Sequence, residues 1–231
     1  LYLNKSKKIW AEKCQLLWRE IPNFMNLMNN PKAIHVIRDP RAVILSFKKE
    51  TRYKPPAYLG SAFNSVDAMN SIIKHKEMYK KRFIYIRYED LVKDRVYEMK
   101  KIYKFLNIYP ITKYNQNNFK DEKNKKWIVN SSFQKNISRP FDYDCIQGNS
   151  LWKKKLSFDE INFVETICEK YMNYFGYKRT SKKNMKKNKI QKLIGKKYDL
   201  FKAYKNWDKS NHRVGFQRFP ANPLDRKTWT R

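Results

Sequence analysis

Short apolar runs alternate with longer amphipathic segments through the first half of the chain. Residues 33–37 and 83–87 have the length and apolar character of buried β-strands. Apolar residues recur at helical spacing over 7–21, 61–81 and 94–107, which predicts three helices. The sequence therefore predicts an α/β fold, in which a helical crossover after the first strand makes the two strands parallel.

Local signals predict where two further helices begin. Asp39 before Pro40 predicts an N-terminal cap for a helix that follows the first strand. Ser157 with Glu160 predicts a capping box, and the helix that it opens is expected to end at Gly176. Later residues, 178–210, are rich in lysine and show only weak periodicity.

Positive charge is concentrated at the C-terminal end of the chain. The net charge is +31, and residues 178–231 contain 18 Lys or Arg against 3 Asp or Glu. Such a balance attracts nucleic acid, acidic lipid, nucleotide phosphates or sulfated glycans, and charge alone does not choose among them. We therefore divide the chain into a domain over 1–177 and a basic, flexible tail over 178–231.

The cysteines leave two states open. Cys14, Cys145 and Cys168 lack the spacing of metal ligands and allow at most one internal disulfide. Cys145 and Cys168 are a candidate pair in an oxidising compartment, whereas three free thiols fit a reducing one. The sequence contains no apolar run long enough for a membrane-spanning helix.

Polar side chains follow both predicted strands. Arg38 and Asp39 come directly after the first strand, and Tyr88 follows Arg87 at the end of the second. Ligands bind beyond the carboxyl ends of strands in such sheets, so both groups are expected at one ligand-binding edge. The arginine fork suits a phosphate, and the Ser46 hydroxyl lies about two helical turns further along.

The segment from Lys32 to Ser46 resembles the 3′-phosphate-binding motif of the sulfotransferases. Its Arg-Asp-Pro-Arg-Ala-Val sequence is most similar to the carbohydrate branch of that family. The resemblance implies that Arg38 and Ser46 bind the 3′-phosphate of the donor, 3′-phosphoadenosine 5′-phosphosulfate.

Two later segments extend the resemblance to about residues 10–177. Residues 85–94, Tyr-Ile-Arg-Tyr-Glu-Asp-Leu-Val-Lys-Asp, resemble a second family segment, which implies that Tyr88 lies beside the adenine. The sequence around Trp152 and Lys153 and the later Phe-Gly-Tyr ending at Tyr177 resemble the C-terminal part of the family domain. Lys153 or Lys154 is a candidate to approach a phosphate.

The resemblance implies a fold like that of P-loop kinases and a defined activity. Family members transfer sulfate to galactose or N-acetylglucosamine hydroxyls of glycans, need no metal, and are single-pass Golgi membrane proteins with a lumenal catalytic domain. They also have an upstream loop that binds the 5′-phosphosulfate. The residues before Pro31 contain no glycine and no such loop, so we expect an incomplete domain and poor transfer by this chain alone.

The catalytic base is not assigned by the sequence, and two other functions stay open. His35 is expected in the core and His75 on the surface. One alternative is a related nucleotide-binding protein without activity. The other is a nucleic-acid-binding protein, in which tail aromatic residues such as Trp207 and Trp229 stack on bases. A P-loop or protein kinase is excluded, because no glycine-rich phosphate loop of either type occurs.

Overall fold

A computed structural model describes residues 9, 11–13, 18–50, 56–109, 150–195 and 197–210. Within these ranges the strands are β1 (Ala33–Ile37) and β2 (Phe83–Arg87). The α-helices are α1 (Ile21–Leu27), α2 (Pro40–Glu50), α3 (Ser61–Tyr79), α4 (Tyr88–Lys93), α5 (Arg95–Leu106), α6 (Trp152–Lys155), α7 (Phe158–Tyr174), α8 (Lys187–Ile194) and α9 (Tyr198–Ser210). Short 3-10 helices occur at Trp18–Glu20, Ala57–Gly60 and Lys80–Arg82.

The two strands form a parallel pair, as the sequence predicts. Ala33 pairs with Phe83 at one end, and Ile37 pairs with Arg87 at the other. The connection between the strands contains α2 and α3, so the α/β pattern and its helical crossover are confirmed. Because the strands are parallel and in register, the residues after Ile37 and after Arg87 emerge side by side at one edge of the sheet.

The predicted caps form and fix where α2 and α7 begin. The Arg41 backbone N–H donates to Asp39 Oδ1 at 2.9 Å, and α2 starts at Pro40. Ser157 Oγ accepts from the Glu160 N–H at 3.2 Å, while Glu160 Oε2 accepts from the Ser157 N–H at 2.7 Å. The capping box is thus confirmed, and the sequence fixes these two helix starts locally.

The predicted helix over 7–21 is wrong in its position. Ile9 and residues 11–13 are not helical, and α1 begins only at Ile21. Pro22, which directly follows the predicted helix, therefore lies in the first turn of α1. A proline is tolerated there because the first-turn N–H groups have no partner within the helix.

The core lies where α3 and α7 pack together. Phe63 and Phe163 meet edge to face, with ring centroids 6.0 Å apart. Cys168 is a fully buried free thiol that donates to the Ala62 carbonyl at 3.5 Å. Cys14 and Cys145 lie outside the described residues. None of the helices in the described ranges has both the length and the apolar character needed to cross a membrane.

Helices α8 and α9 pack on the same core. Their buried side chains are Ile190, Ile194, Leu200, Ala203 and Tyr204. Weak periodicity hid these helices from sequence analysis, because lysines dominate the composition between the apolar positions. Residues up to 210 therefore belong to the packed body, while the division of the chain at residue 177 stays a prediction.

The two histidines described in the structure both pack against aromatic rings. His35 stacks on Trp18 with centroids 6.4 Å apart and meets the edge of Phe83 at 6.5 Å. His75 is only 6% exposed and packs against Tyr79 and Phe83, so its predicted surface position is wrong. The surface position was predicted because lysines flank His75 in the sequence. The helical spacing of His75 from the buried Met69 and Ile72 instead favours burial.

The packing of His35 predicts a loss of stability in mild acid. Burial, helped by the nearby His75, lowers the pKa of His35 to about 4. In the unfolded chain His35 takes up a proton at about pH 6.5, whereas in the folded chain its imidazole stays neutral until the pH approaches the lowered pKa. The free energy of unfolding should therefore fall as the pH drops through this window. Urea unfolding of the wild type and of His35→Phe, which keeps the ring but cannot titrate, should show a steeper pH dependence for the wild type. Parallel curves would contradict the prediction.

Candidate functional site

Arg38 and Tyr88 meet at the carboxyl ends of the two strands. Arg38 follows β1, and Tyr88 is the first residue of α4 after β2. The guanidinium carbon of Arg38 lies 4.5 Å from the centroid of the Tyr88 ring. Such stacking fixes the plane of the guanidinium, whose N–H donors lie along its edge. The structure thus brings together two of the three residues that the sequence singles out.

Ser46, the third of these residues, lies further along α2. Its side chain is exposed and is not part of the Arg38–Tyr88 contact. Since α2 starts beside Arg38, a ligand that touches both residues has to extend along this helix.

Glu89 joins three segments that surround the strand ends. Its Oε1 accepts from the Asp39 backbone N–H at 2.9 Å, and its Oε2 accepts from the Tyr177 hydroxyl at 2.9 Å. The Arg87 guanidinium lies 4.7 Å from the centroid of the Tyr177 ring. Burial, together with the Glu89 charge, raises the pKa of Tyr177, so its hydroxyl stays protonated and donates. Glu89 therefore ties the end of β1 to the segment that follows α7.

Arg41 is buried in an ionic network below this edge. Its Nε and Nη2 donate to the two carboxylate oxygens of Asp39 at 2.9 and 2.7 Å, and its Nη1 donates to Glu165 Oε1 at 2.6 Å. The guanidinium also lies 3.9 Å from the centroid of the Trp152 ring. Burial opposes the charge of Arg41, but the bonds to Asp39 and Glu165 outweigh it and raise the pKa of Arg41.

Glu165 holds the segment after α7 in place. Although it is fully buried, it accepts from the backbone and hydroxyl of Thr180 at 2.9 and 2.8 Å, and from the backbone of Ser181 at 2.8 Å. Burial alone would raise the pKa of Glu165, but the donors on Ser181 and Thr180 lower it. Glu165 is not predictable as a site residue from the sequence, because its signal there is a single carboxylate on an apolar helix face.

A cleft of about 370 Å³ opens beside this network. Its lining contains five cationic side chains against two carboxylates. The Nε atoms of Arg87 and Arg179 are buried without a hydrogen-bond partner among the described residues. The excess of cations makes the cleft attractive to an anion. The lining is Asp39, Arg41, Arg87, Glu89, Ser150, Trp152, Lys153, Gly176, Tyr177, Lys178, Arg179 and Thr180.

The cleft includes one lysine that the sequence singles out and several residues that it does not. Lys153 lines the cleft, whereas Lys154 is exposed outside its lining. The sequence predicts no individual binding role for Arg87 or Tyr177, and it places Lys178 and Arg179 in the basic tail. The packing of α6 and α7 against α2 brings these distant parts of the chain together.

Comparisons with known proteins find relatives among the sulfotransferases. Residues 1–110 match the model of the sulfotransferase family. The chain is 25% identical to carbohydrate sulfotransferase 1 of Danio rerio over 71% of this chain and 42% of that protein. It is 24% identical to the Homo sapiens protein of the same name over 71% of this chain and 43% of that protein. Carbohydrate sulfotransferase 3 of Tetronarce californica is 28% identical over 64% of this chain and 36% of the relative.

The chain spans less than half the length of these curated relatives. No solved structure matches the chain.

Proposed function

We infer that this chain belongs to the sulfotransferase family, and we propose that the protein transfers sulfate to a hydroxyl group of a carbohydrate. The donor in this proposal is 3′-phosphoadenosine 5′-phosphosulfate, and the nucleotide binds at the carboxyl ends of β1 and β2. The fold, a small parallel sheet among helices, is consistent with the α/β fold of that family. The proposed acceptor sugar is galactose or N-acetylglucosamine.

The contact between Arg38 and Tyr88 is the observation that carries the proposal. A nucleotide with a phosphate on its ribose needs an aromatic face for the purine and a fork of N–H donors for the phosphate. Arg38 and Tyr88 supply these two kinds of group side by side. The Ser46 hydroxyl, exposed along α2, is a further donor to the 3′-phosphate in this proposal.

The basic cleft supports the same proposal through its charge. In sulfate transfer the sugar oxygen forms a bond to sulfur while the bond from sulfur to the phosphate oxygen breaks. The leaving nucleotide gains negative charge, which nearby cations stabilise. Arg87 and Lys153 line the cleft next to the strand ends and suit this task.

The base that accepts the proton of the sugar hydroxyl is not among the two described histidines. His35 is packed between rings with its pKa lowered to about 4, chiefly by burial. His75 is buried on α3 against Tyr79 and Phe83. Phe83 is the first residue of β2, so His75 lies at the opposite end of that strand from Tyr88. A carboxylate or another residue has to serve as the base in the proposed reaction.

A test of the proposal compares two nucleotides that differ in one phosphate. By titration calorimetry, adenosine 3′,5′-bisphosphate should bind the intact protein at least about tenfold more tightly than adenosine 5′-monophosphate, because a charged hydrogen-bonding partner contributes about 1.5–3 kcal/mol. Labelled sulfate should then pass from the donor to oligosaccharides that end in galactose or N-acetylglucosamine. Equal affinities for the two nucleotides would contradict the proposed 3′-phosphate site. Binding of the bisphosphate without sulfate transfer to any sugar would instead indicate a nucleotide-binding protein without transferase activity.

The cellular location follows the same family assignment. A Golgi membrane protein with a lumenal catalytic domain is the expected setting for sulfation of a glycan. Localisation of the tagged full-length protein by microscopy tests this part of the proposal independently of its activity.

A further inference from the structure

Helices α8 and α9, with the segment that leads into α8, present a surface of lysines. We call this the lysine surface and define it by nine exposed side chains: Lys182, Lys183, Lys186, Lys187, Lys189, Lys192, Lys202, Lys205 and Lys209. Over residues 178–210 the sequence contains only two carboxylates, Asp199 and Asp208. The surface is therefore strongly positive.

Packing fixes the direction in which these lysines point. Ile190 and Ile194 bury one face of α8, and Leu200 and Tyr204 bury one face of α9. The lysines of both helices are thereby held toward solvent. On α9 they are Lys202, Lys205 and Lys209, whose spacing of three and four residues places them along one exposed face. The result is a defined stripe of charge on a folded element instead of a flexible run.

Few of these charges are neutralised by the protein itself. Lys187 pairs with Asp208 at 2.9 Å, and Lys189 pairs with Asp159 at 2.6 Å. In the part of the chain that the structure describes, no ion pair is formed by Lys202, Lys205 or Lys209. Like charges at such spacing destabilise a helix, so an external polyanion would relieve a repulsion that the fold leaves in place.

One chain segment links the cleft to the lysine surface. Lys178, Arg179 and Thr180 line the cleft, and Lys182 comes two residues later in the chain. Glu165 holds this connecting segment through Thr180 and Ser181. The segment that leads from the cleft to the first lysines of the surface is therefore held in a fixed position.

The aromatic residues argue against nucleic acid as the partner. Trp207, which the sequence offers as a base-stacking ring, is half-buried, and its Nε1 donates to the Ile167 carbonyl at 3.1 Å. The only arginine of residues 178–210, Arg179, is tied to Glu169 and Ser181. Binding of single-stranded nucleic acid uses exposed aromatic rings, and phosphate recognition favours arginine. Tyr198 is the one large aromatic ring that α8 and α9 expose, against nine exposed lysines, and this balance suits a partner that is recognised by charge density.

We propose that the lysine surface of α8 and α9 is a docking surface for an anionic polysaccharide that carries sulfate or carboxylate groups. The choice of a glycan as partner rests on the proposed function. The surface itself rests on the packing and charge of α8 and α9. Docking here would hold a long acceptor chain near the cleft and raise its effective concentration there.

The test compares two triple variants. One removes three charges from the lysine surface, and the other removes three charges from another part of the protein. The surface variant is Lys202→Gln, Lys205→Gln and Lys209→Gln. The matched control is Lys93→Gln, Lys100→Gln and Lys104→Gln, which removes the same charge from exposed positions on α4 and α5. Glutamine keeps the helix propensity in both variants. Heparin decasaccharide is the probe, and its affinity for the full chain is measured at several salt concentrations.

Affinity for the decasaccharide should fall at least about tenfold in the surface variant, and the slope of log affinity against log salt should decrease by about two to three. The control should change affinity by no more than about twofold, since its charges lie away from the docking surface. Equal losses of decasaccharide affinity in both variants would mean that net charge alone determines binding, and this result would overturn the proposal. Tighter binding of a single-stranded DNA of equal charge, or of vesicles that contain phosphatidylserine, would overturn the choice of partner.

Binding of adenosine 3′,5′-bisphosphate to the same variants separates this proposal from the proposed function. The surface variant should keep its affinity for the nucleotide within about twofold, because none of its three lysines lines the cleft. Normal nucleotide binding with no loss of decasaccharide affinity overturns the docking surface alone. Loss of decasaccharide affinity in a protein that never binds the nucleotide overturns the proposed function alone.

Discussion

Replacement of Arg41 by methionine should lower the free energy of unfolding by about 3–5 kcal/mol, because removal of one member of a buried ionic network leaves the others buried without their partner. Arg41 donates to both Asp39 and Glu165, and its side chain is only 4% exposed. Methionine is similar in length and keeps much of the packing against Trp152. The loss therefore reports on charge more than on volume. Urea unfolding at neutral pH measures it.

Lys189→Met is the matched control for this prediction. It removes a cation from an ion pair of similar length, but the side chains of Lys189 and Asp159 are 50% and 42% exposed. Exposed pairs contribute at most about 1 kcal/mol, so this variant should unfold almost as the wild type does. Equal losses in the two variants would mean that burial of the Arg41 network has no special energetic weight.

Replacement of Arg38 by alanine should weaken the binding of adenosine 3′,5′-bisphosphate by about 1–3 kcal/mol, or roughly 5- to 150-fold. Arg38 is half-buried at the end of β1 and stacks on Tyr88. Its loss removes donors from the proposed phosphate site and also removes the cation from the ring. Affinity for adenosine 5′-monophosphate should change much less, since that nucleotide lacks the 3′-phosphate. Calorimetric titration of both nucleotides measures the difference.

Arg82→Ala is the control for Arg38. Arg82 is exposed and directly precedes β2, so in a parallel sheet it lies at the opposite edge from Arg38. Its replacement changes the net charge by the same amount and should leave nucleotide affinity within about twofold. If Arg38→Ala binds the bisphosphate as well as Arg82→Ala does, Arg38 is not part of the nucleotide site.

Sequence alone determined the elements whose signals are local. Both strands, the cap at Asp39 and the capping box at Ser157 depend on residues within a few positions of one another. The register of a parallel pair then places Arg38 and Tyr88 at one edge, which is why two of the three predicted site residues are found together. Where a motif joins the end of a strand to the start of a helix, these two elements fix the positions of the side chains between them.

Tertiary structure alone decided which distant residues complete the site. Glu165 and Thr180 have no local pattern that marks them, and the Phe-Gly-Tyr pattern at Tyr177 does not predict what its hydroxyl contacts. They join Asp39, Arg41 and Glu89 because α7 packs against α2 and α3. The same applies to α8 and α9, whose burial depends on a core surface supplied by other helices. Local periodicity in the sequence shows which face of a helix is apolar, whereas the tertiary structure decides which residues that face contacts. The energy of a buried charge likewise depends on partners that are distant in the sequence.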